Sequence, residues 1–157
     1  MFDWLWQLDH AKPEHQAWLR QAYGWAVARF GERVKEAGYE NEASFLTPPP
    51  GATEFMICQG GTPWALLTFI PDNTECVQYR VGLIPAPGIA VRALLRILED
   101  FKRGLRLGGV QKLRAELPAK PEYDAARRLA QHLGFQQVEN DWYLELSNGT
   151  DAQQQQR

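Results

Sequence analysis

Apolar residues recur at helical spacing in three segments of the chain. This pattern predicts helices over residues 13–37, 89–107 and 121–132. Proline stands in the first turn of two of them, as Pro13 and Pro121, where its missing N–H costs no hydrogen bond. A glycine follows each predicted helix within two residues, and glycine is common just after a helix ends. The longest apolar stripe belongs to the second helix: Val91, Leu94, Leu95, Leu98, Phe101 and Leu105.

Short apolar runs and period-two alternation predict the strands. They cover residues 3–8, 54–59, 64–70, 76–84, 110–117 and 138–146, the last being a strand or a strand pair. Gly60-Gly61 between the second and third runs indicates a tight hairpin. The order β-α-β-β-β-α-β-α-β predicts one α/β, or α+β, layered domain over residues 1–146.

Two segments lack such patterning. Residues 38–52 include three consecutive prolines, Pro48 to Pro50, and we expect a long loop there. Residues 147–157 contain four consecutive glutamines and no large apolar residue, so we expect a disordered polar tail.

Composition narrows the class of protein. The chain has 157 residues and 45% hydrophobic residues, enough to bury a core without a metal or disulfide. No apolar run reaches the roughly 18 residues of a membrane span, and the first ten residues lack the basic region of a secretory signal. We therefore expect a cytoplasmic protein with no membrane partner. Its two cysteines, Cys58 and Cys76, exclude a disulfide framework, and we expect both to be buried in strands.

Charge is unevenly distributed along the chain. Residues 1–79 carry 5 Lys or Arg against 10 Asp or Glu, whereas residues 80–157 carry 12 against 9. Such a basic run is either a solvated helix face or the binding site of an anion. The seven basic residues that lie closest together are Arg92, Arg96, Lys102, Arg103, Arg106, Lys112 and Arg114.

The join between a strand and a helix at residues 77–98 is the best candidate for an anion site. Its glycine-containing turn leads into a helix whose first N–H groups have no partner within the helix. Arg92 and Arg96 lie one and two turns into that helix and can hold further negative charge. We expect no metal site, because His10, His15 and His132 do not have metal-ligand spacing.

Two local motifs, together with the order of elements, resemble the GNAT superfamily of acetyl-coenzyme A-dependent N-acetyltransferases. Gly88-Ile89-Ala90 matches the end of the family's pyrophosphate-binding turn, [Gln/Arg]-x-x-Gly-x-[Gly/Ala]. The segment 123–135 matches Asn-x-x-Ala-x-x-Leu-Tyr-x-x-x-Gly-Phe at Ala126, Leu129, Gly134 and Phe135. The resemblance covers residues 1–146 and implies a mixed, mostly antiparallel central sheet of about six strands flanked by helices.

The resemblance also implies a reaction and a site. The reaction is transfer of an acetyl group from acetyl-CoA to an amine, of a small molecule or a protein, by direct attack. Glu75 and Glu116 are candidate bases, and Tyr79 is a candidate acid toward the leaving thiolate. The residues expected to hold the coenzyme are Leu83, Ile84, Gly88, Ile89, Ala90, Val91, Arg92 and Arg96.

Two alternatives stay open. Pro85 and Pro87 remove N–H donors from the turn. Ala130 stands where the family often has the tyrosine that acts as general acid toward the leaving thiolate. These departures favour a catalytically silent interaction or structural protein, such as a phage virion component, with Trp4 and Trp6 as a partner surface. Nucleic-acid binding is less favoured, because acidic residues interrupt the basic run and no recognition motif is present.

Overall fold

The computed structural model describes residues 4–31 and 41–146. Its helices are α1 (Pro13–Phe30), α2 (Glu42–Leu46), α3 (Val91–Leu107) and α4 (Asp124–Leu133), the last preceded by a 3-10 turn at Pro121–Tyr123. Its strands are β1 (Leu5–Gln7), β2 (Thr53–Gln59), β3 (Thr62–Pro71), β4 (Gln78–Pro85), β5 (Lys112–Glu116), β6 (Gln136–Val138) and β7 (Asp141–Glu145).

The strands of the described residues form one seven-stranded sheet in the order β1-β2-β3-β4-β5-β7-β6. Strand β4 runs parallel to β5. The antiparallel pairs are β1 with β2, β2 with β3, β5 with β7, and β6 with β7. The predicted fold class, a mostly antiparallel sheet flanked by helices, is confirmed. The sheet has seven strands where about six are expected. Of the two interpretations of the last segment, the strand pair is correct, and its first strand begins at Gln136, two residues before the predicted start.

The chain forms two compact units. The first comprises the residues up to Ile70 together with Gly82–Ile89, and the second comprises Pro71–Val81 together with the residues from Ala90 onward. Strand β4 contributes to both units. The expectation of a single domain over residues 1–146 stays a prediction.

In the first unit, α1 packs one face onto the β2–β3 hairpin. Leu19, Ala22 and Ala26 recur at helical spacing and are fully buried. They share a core cluster with Met56 of β2 and Leu66 of β3, which are paired across the two strands. Burial of this continuous apolar face stabilises the helix more than its own backbone preferences do.

In the second unit, the buried face consists of alternating strand residues and one stripe from each of two helices. Leu113 and Ala115 of β5 lie opposite Leu144 and Trp142 of β7, and all four are buried. Helices α3 and α4 lie side by side, with Lys102 Nζ donating to the carbonyl oxygen of Leu133 at 2.9 Å. The buried residues of the helices are Leu94, Leu98, Phe101, Leu129 and Ala130.

The segment 38–52 differs from the expected loop because it contains α2. This helix has only five residues, too few to show a helical period in the sequence. Asn41 caps it, since its side-chain oxygen accepts the backbone N–H of Ser44 at 2.8 Å. Residues 32–40, which include the predicted end of the first helix, and the predicted tail at 147–157 lie outside the described residues.

The expectation for the two cysteines is correct for Cys58 and wrong for Cys76. Cys58 lies in β2 and is buried. Cys76 is exposed and precedes β4, in a turn where its φ is +56°. The side-chain oxygen of Asn73 accepts the backbone N–H groups of both Val77 and Gln78. These hydrogen bonds hold the chain in a turn, so the strand begins only after Cys76.

Candidate functional site

The chain between β4 and α3 turns at Gly88, whose φ of +80° lies in the region that glycine adopts without strain. Ile89 is half-buried, and Ala90 is exposed with an extended backbone (φ −67°, ψ 118°). Helix α3 therefore begins at Val91, two residues later than predicted. Before the turn, Leu83 and Ile84 lie in β4, and Ile84 is buried in the core of the first unit.

The N-terminus of α3 has free donors and no capping side chain. Its first hydrogen bond runs from the Leu94 N–H to the Ala90 carbonyl oxygen at 3.1 Å, which leaves the N–H groups of residues 91–93 without a partner inside the helix. Ala90 provides no side-chain cap, and the first turn contains no acidic residue. Arg92 and Arg96 are exposed on this helix. The first turn is thus electrostatically positive and suited to an anion.

The two prolines of the turn reduce its number of donors. Pro85 is the last residue of β4 and Pro87 directly precedes Gly88. Between them, the Ala86 N–H donates to the Trp64 carbonyl oxygen at 2.7 Å and is therefore occupied. The backbone N–H groups that can donate to an anion therefore begin at Gly88, because neither proline has an N–H.

In the second unit, the parallel pairing of β4 with β5 is short. It runs through three residue pairs, from Gln78 opposite Lys112 to Arg80 opposite Arg114. Strand β5 continues to Glu116 and stays paired with β7 on its other edge over its whole length. Tyr79 lies within the paired stretch, one residue before its end.

The Gly-Phe end of the second motif forms the C-terminal cap of α4. Gly134 has a φ of +99°, a left-handed conformation typical of the residue after a helix. The next N–H, of Phe135, donates to the Ala130 carbonyl oxygen at 2.9 Å, and the Phe135 side chain is buried. These matching positions therefore serve the helix end and the core of the second unit.

Comparison with known proteins gives a match at the level of structure. No family model matches the sequence, and no curated protein matches it. A protein from Desulfovibrio desulfuricans assigned to the GNAT acetyltransferases is 18% identical, with a TM-score of 0.66 over 90% of this chain and 98% of its own. The ribosomal-protein-S18-alanine N-acetyltransferase of Escherichia coli is 18% identical, with a TM-score of 0.63 over 91% and 93%. An aminoglycoside acetyltransferase in complex with coenzyme A is 12% identical, with a TM-score of 0.64 over 98% of each chain.

This chain has the GNAT fold. At 12–18% identity the likeness shows the fold alone. It confirms the fold that the resemblance inferred from the two motifs implies.

Within this GNAT fold, the candidate base Glu116 is held by two guanidinium groups. Arg114 Nη1 donates to Glu116 Oε2 at 2.7 Å, and Arg80 Nη1 donates to Oε1 at 3.3 Å. Arg114 also makes two bonds to Asp72, at 2.9 and 3.1 Å. The hydrogen bond from Arg114 lowers the pKa of Glu116 below its ordinary value, which makes this carboxylate a weak base.

The other two predicted catalytic residues lie in the turn before β4 and on β4 itself. Glu75 is exposed in the turn before β4, where Thr74 Oγ1 donates to its Oε2 at 3.3 Å. Tyr79 is half-buried on β4, where it is paired with Leu113 of β5.

Sequence reasoning missed one buried polar pair in the first unit. His10 Nε2 lies 2.6 Å from Glu54 Oε1, and Glu54 is only 7% exposed. The strand pattern contained a signal, because Glu54 alternates with Met56 and Cys58 on the buried face of β2. An acidic residue at such a position needs a partner, but the spacing of the histidines bears only on metal binding and does not point to His10.

The two tryptophans predicted to form a partner surface differ in exposure. Trp6 is 49% exposed on β1 and its ring contacts that of Trp18 edge-on, with centroids 6.2 Å apart. Trp4 is half-buried, and its carbonyl oxygen accepts the Cys58 N–H at 2.7 Å.

None of the helices in residues 4–31 and 41–146 has the length and apolar character that a membrane span requires. Over the same ranges, no group of three potential metal ligands occurs.

Proposed function

We propose that this protein is an N-acyltransferase that transfers the acetyl group of acetyl-CoA to an amine. The observation that carries the proposal is the match of nearly the whole chain to structures of acetyltransferases, one of them in complex with coenzyme A. The free N–H groups at the start of α3 add a local reason, since a pyrophosphate is an anion of the kind that a helix N-terminus attracts.

The residues of the turn fit the coenzyme in part. Residues 91–93 offer backbone N–H groups, and Arg92 and Arg96 offer charge for the phosphates. In the preceding turn, Pro85 and Pro87 cannot donate. We expect weaker phosphate binding than a turn with a full set of N–H groups would give.

The proposed reaction is a direct displacement. The amine nitrogen, after losing a proton, attacks the thioester carbon; the new C–N bond forms and the C–S bond breaks. The leaving thiolate takes up a proton, so the products are the amide and the free thiol of coenzyme A. Of the three candidate residues, Tyr79 and Glu75 are favoured for proton transfer over Glu116, whose carboxylate is already neutralised by Arg114 and Arg80.

Binding of acetyl-CoA is tested first, by thermal unfolding of the purified protein. If the dissociation constant is about 10 µM, 1 mM ligand stabilises the fold by about 2.7 kcal/mol, a rise in Tm of about 5–10 °C for a chain of this size. Replacing Arg92 and Arg96 together by alanine reduces the rise. Arg103→Ala on the same helix is the matched control, because Arg103 is exposed and pairs with Asp100. Absence of any Tm shift at millimolar acetyl-CoA rejects the proposal.

Transfer is then tested by release of the coenzyme thiol with a panel of amines. The acceptors named for matching structures provide the panel: spermidine, an aminoglycoside and a peptide with an N-terminal alanine. Tyr79→Phe and Glu75→Gln should each lower the rate by about a hundredfold if the residue transfers the proton, whereas Glu116→Gln should have a smaller effect. Equal losses in all three variants would contradict the assigned roles.

A silent interaction protein is the second candidate function, favoured by the two prolines and by the exposed Trp6 on strand β1. Under this alternative the protein binds neither acetyl-CoA nor free coenzyme A, and Trp6→Ala abolishes capture of a protein partner. A thermal shift with acetyl-CoA together with measurable transfer would exclude it.

A further inference from the structure

The side chain of His10 joins α2 to β2 within the first unit. Its Nδ1 lies 2.9 Å from the carbonyl oxygen of Leu46, the last residue of α2. Its Nε2 lies 2.6 Å from Oε1 of Glu54, the second residue of β2. One imidazole ring thus bridges two elements that are separate in the sequence.

Both contacts require a proton. A backbone carbonyl oxygen only accepts hydrogen bonds, so Nδ1 must carry a proton and donate it to Leu46. A bare ring nitrogen and an ionised carboxylate would repel each other at 2.6 Å, so a proton also lies between Nε2 and Glu54. A neutral imidazole supplies one of these protons, and the second is shared by the ring and the carboxyl group.

Burial makes the shared proton important. Glu54 is on the same face of β2 as Met56 and Cys58, which belong to the apolar core, and the uncharged Thr68 is opposite it on β3. An ionised carboxylate at this place loses most of its hydration. Desolvation raises the pKa of Glu54, and the contact with His10 lowers it by less.

The further titratable or charged groups on the surrounding elements include Asp9, Lys12, Glu14, His15, Arg20, Tyr23, Glu42 and Cys58. They have contacts of their own or face solvent. The backbone N–H of Asp9 donates to Nδ1 of His15 at 2.9 Å, and Glu42 lies 3.7 Å from Nε of Arg20. Within the described residues, none of these groups forms an ion pair with His10 or Glu54.

We propose that the proton shared by His10 and Glu54 is a latch that fastens α2 to β2, and that its loss at alkaline pH weakens the attachment of α2. The Asn41 cap and the buried Phe45 still hold the helix after that loss. Once the proton is lost, the ring has one proton for two acceptors. It can keep the contact with Leu46 or the contact with Glu54, and the other contact opens. This device goes beyond the proposed acyl transfer and operates whether or not the protein is an enzyme.

Amide hydrogen exchange, corrected for the intrinsic effect of pH, tests the latch in the full chain. The reporters are the N–H groups of Phe45 and Thr47, which bond to Asn41 and Ser44 within and next to α2. Between about pH 6 and pH 10 their protection should fall about tenfold or more, the factor that corresponds to losing one hydrogen bond of a charged group.

Glu54→Gln is the decisive variant. The glutamine amide can donate a permanent N–H to Nε2 while Nδ1 still donates to Leu46, so the latch no longer needs a titrating proton. Protection of α2 in Glu54→Gln should therefore not change with pH. Glu14→Gln removes an exposed carboxylate nearby and should behave as the wild type does.

Two results would overturn the latch. One is protection of α2 in the wild type that does not change with pH, or that changes equally in Glu54→Gln. The other needs no variant: nitrogen NMR of the His10 ring in the wild type at neutral pH should find Nδ1 protonated, and an unprotonated Nδ1 contradicts the proposed bridge.

Discussion

Substituting aspartate for Ala90 should make the protein more stable and, at the same time, weaken its binding of acetyl-CoA. Ala90 is the residue before α3, is exposed, and has the extended backbone typical of a capping position. An aspartate there can accept the N–H of Arg92 or Ala93, which has no partner within the helix. The same carboxylate would stand where the proposed site attracts phosphate.

The two effects can be estimated separately. Replacing alanine by aspartate at a capping position stabilises by about 1 kcal/mol, and the helix dipole adds up to about 1 kcal/mol. For a chain of this length the Tm should rise by about 2–8 °C. Two like charges about 4 Å apart near a protein surface repel by about 4 kcal/mol, so the affinity for acetyl-CoA should fall at least about tenfold.

Thermal unfolding with and without acetyl-CoA measures both effects in one assay. Lys12→Asp is the matched control, because Lys12 precedes α1 and likewise provides no side-chain cap. It should raise the Tm of the free protein but leave the shift caused by acetyl-CoA unchanged. The reasoning is refuted if Ala90→Asp lowers the Tm of the free protein, or if it raises the Tm and acetyl-CoA still binds with wild-type affinity.

Three further predictions concern single residues. Burial and the charge of Glu14 raise the pKa of the Cys58 thiol to about 11. In the native protein a thiol reagent should therefore modify Cys76 alone, and the variant Cys76→Ser should react with the reagent only after unfolding. Gly134→Ala should cost about 1–2 kcal/mol in urea unfolding, because an L-residue is strained at φ +99°. Folding lowers the pKa of Glu116, so its contribution to the free energy of unfolding is present above the unfolded pKa of 4.5 and is lost as the pH falls below it. Glu116→Gln should remove this part of the acid dependence of stability. The change should be at most about 1 kcal/mol, since solvent screens an exposed pair.

The elements with long apolar periods could be predicted from the sequence. Helix α3 ends at Leu107, as the stripe and Gly108 indicate, and the hairpin of β2 and β3 turns at Gly60-Gly61. The misses are short or depend on side-chain contacts. Helix α2 is held by its Asn41 cap and by the burial of Phe45, and neither produces a period along five residues. The sequence predicts Cys76 in a strand because it does not show that the Asn73 side chain accepts two backbone N–H groups and so delays the start of β4.

The candidate site was predictable where the backbone alone defines it and unpredictable where distant side chains meet. The Gly88 turn and the start of α3 follow from local sequence, because a glycine with positive φ and an uncapped helix involve only neighbouring residues. The restraint on Glu116 comes first from Arg114, two residues away, and is completed by Arg80, 36 residues away. The bridge from His10 to Glu54 spans 44 residues. A single sequence records which groups are present but not which of them pair. The turn could therefore be located from the sequence. The chemistry of these glutamates required the structure, because the partner of a carboxylate decides whether it acts as a base, as a counter-ion or as one end of a latch.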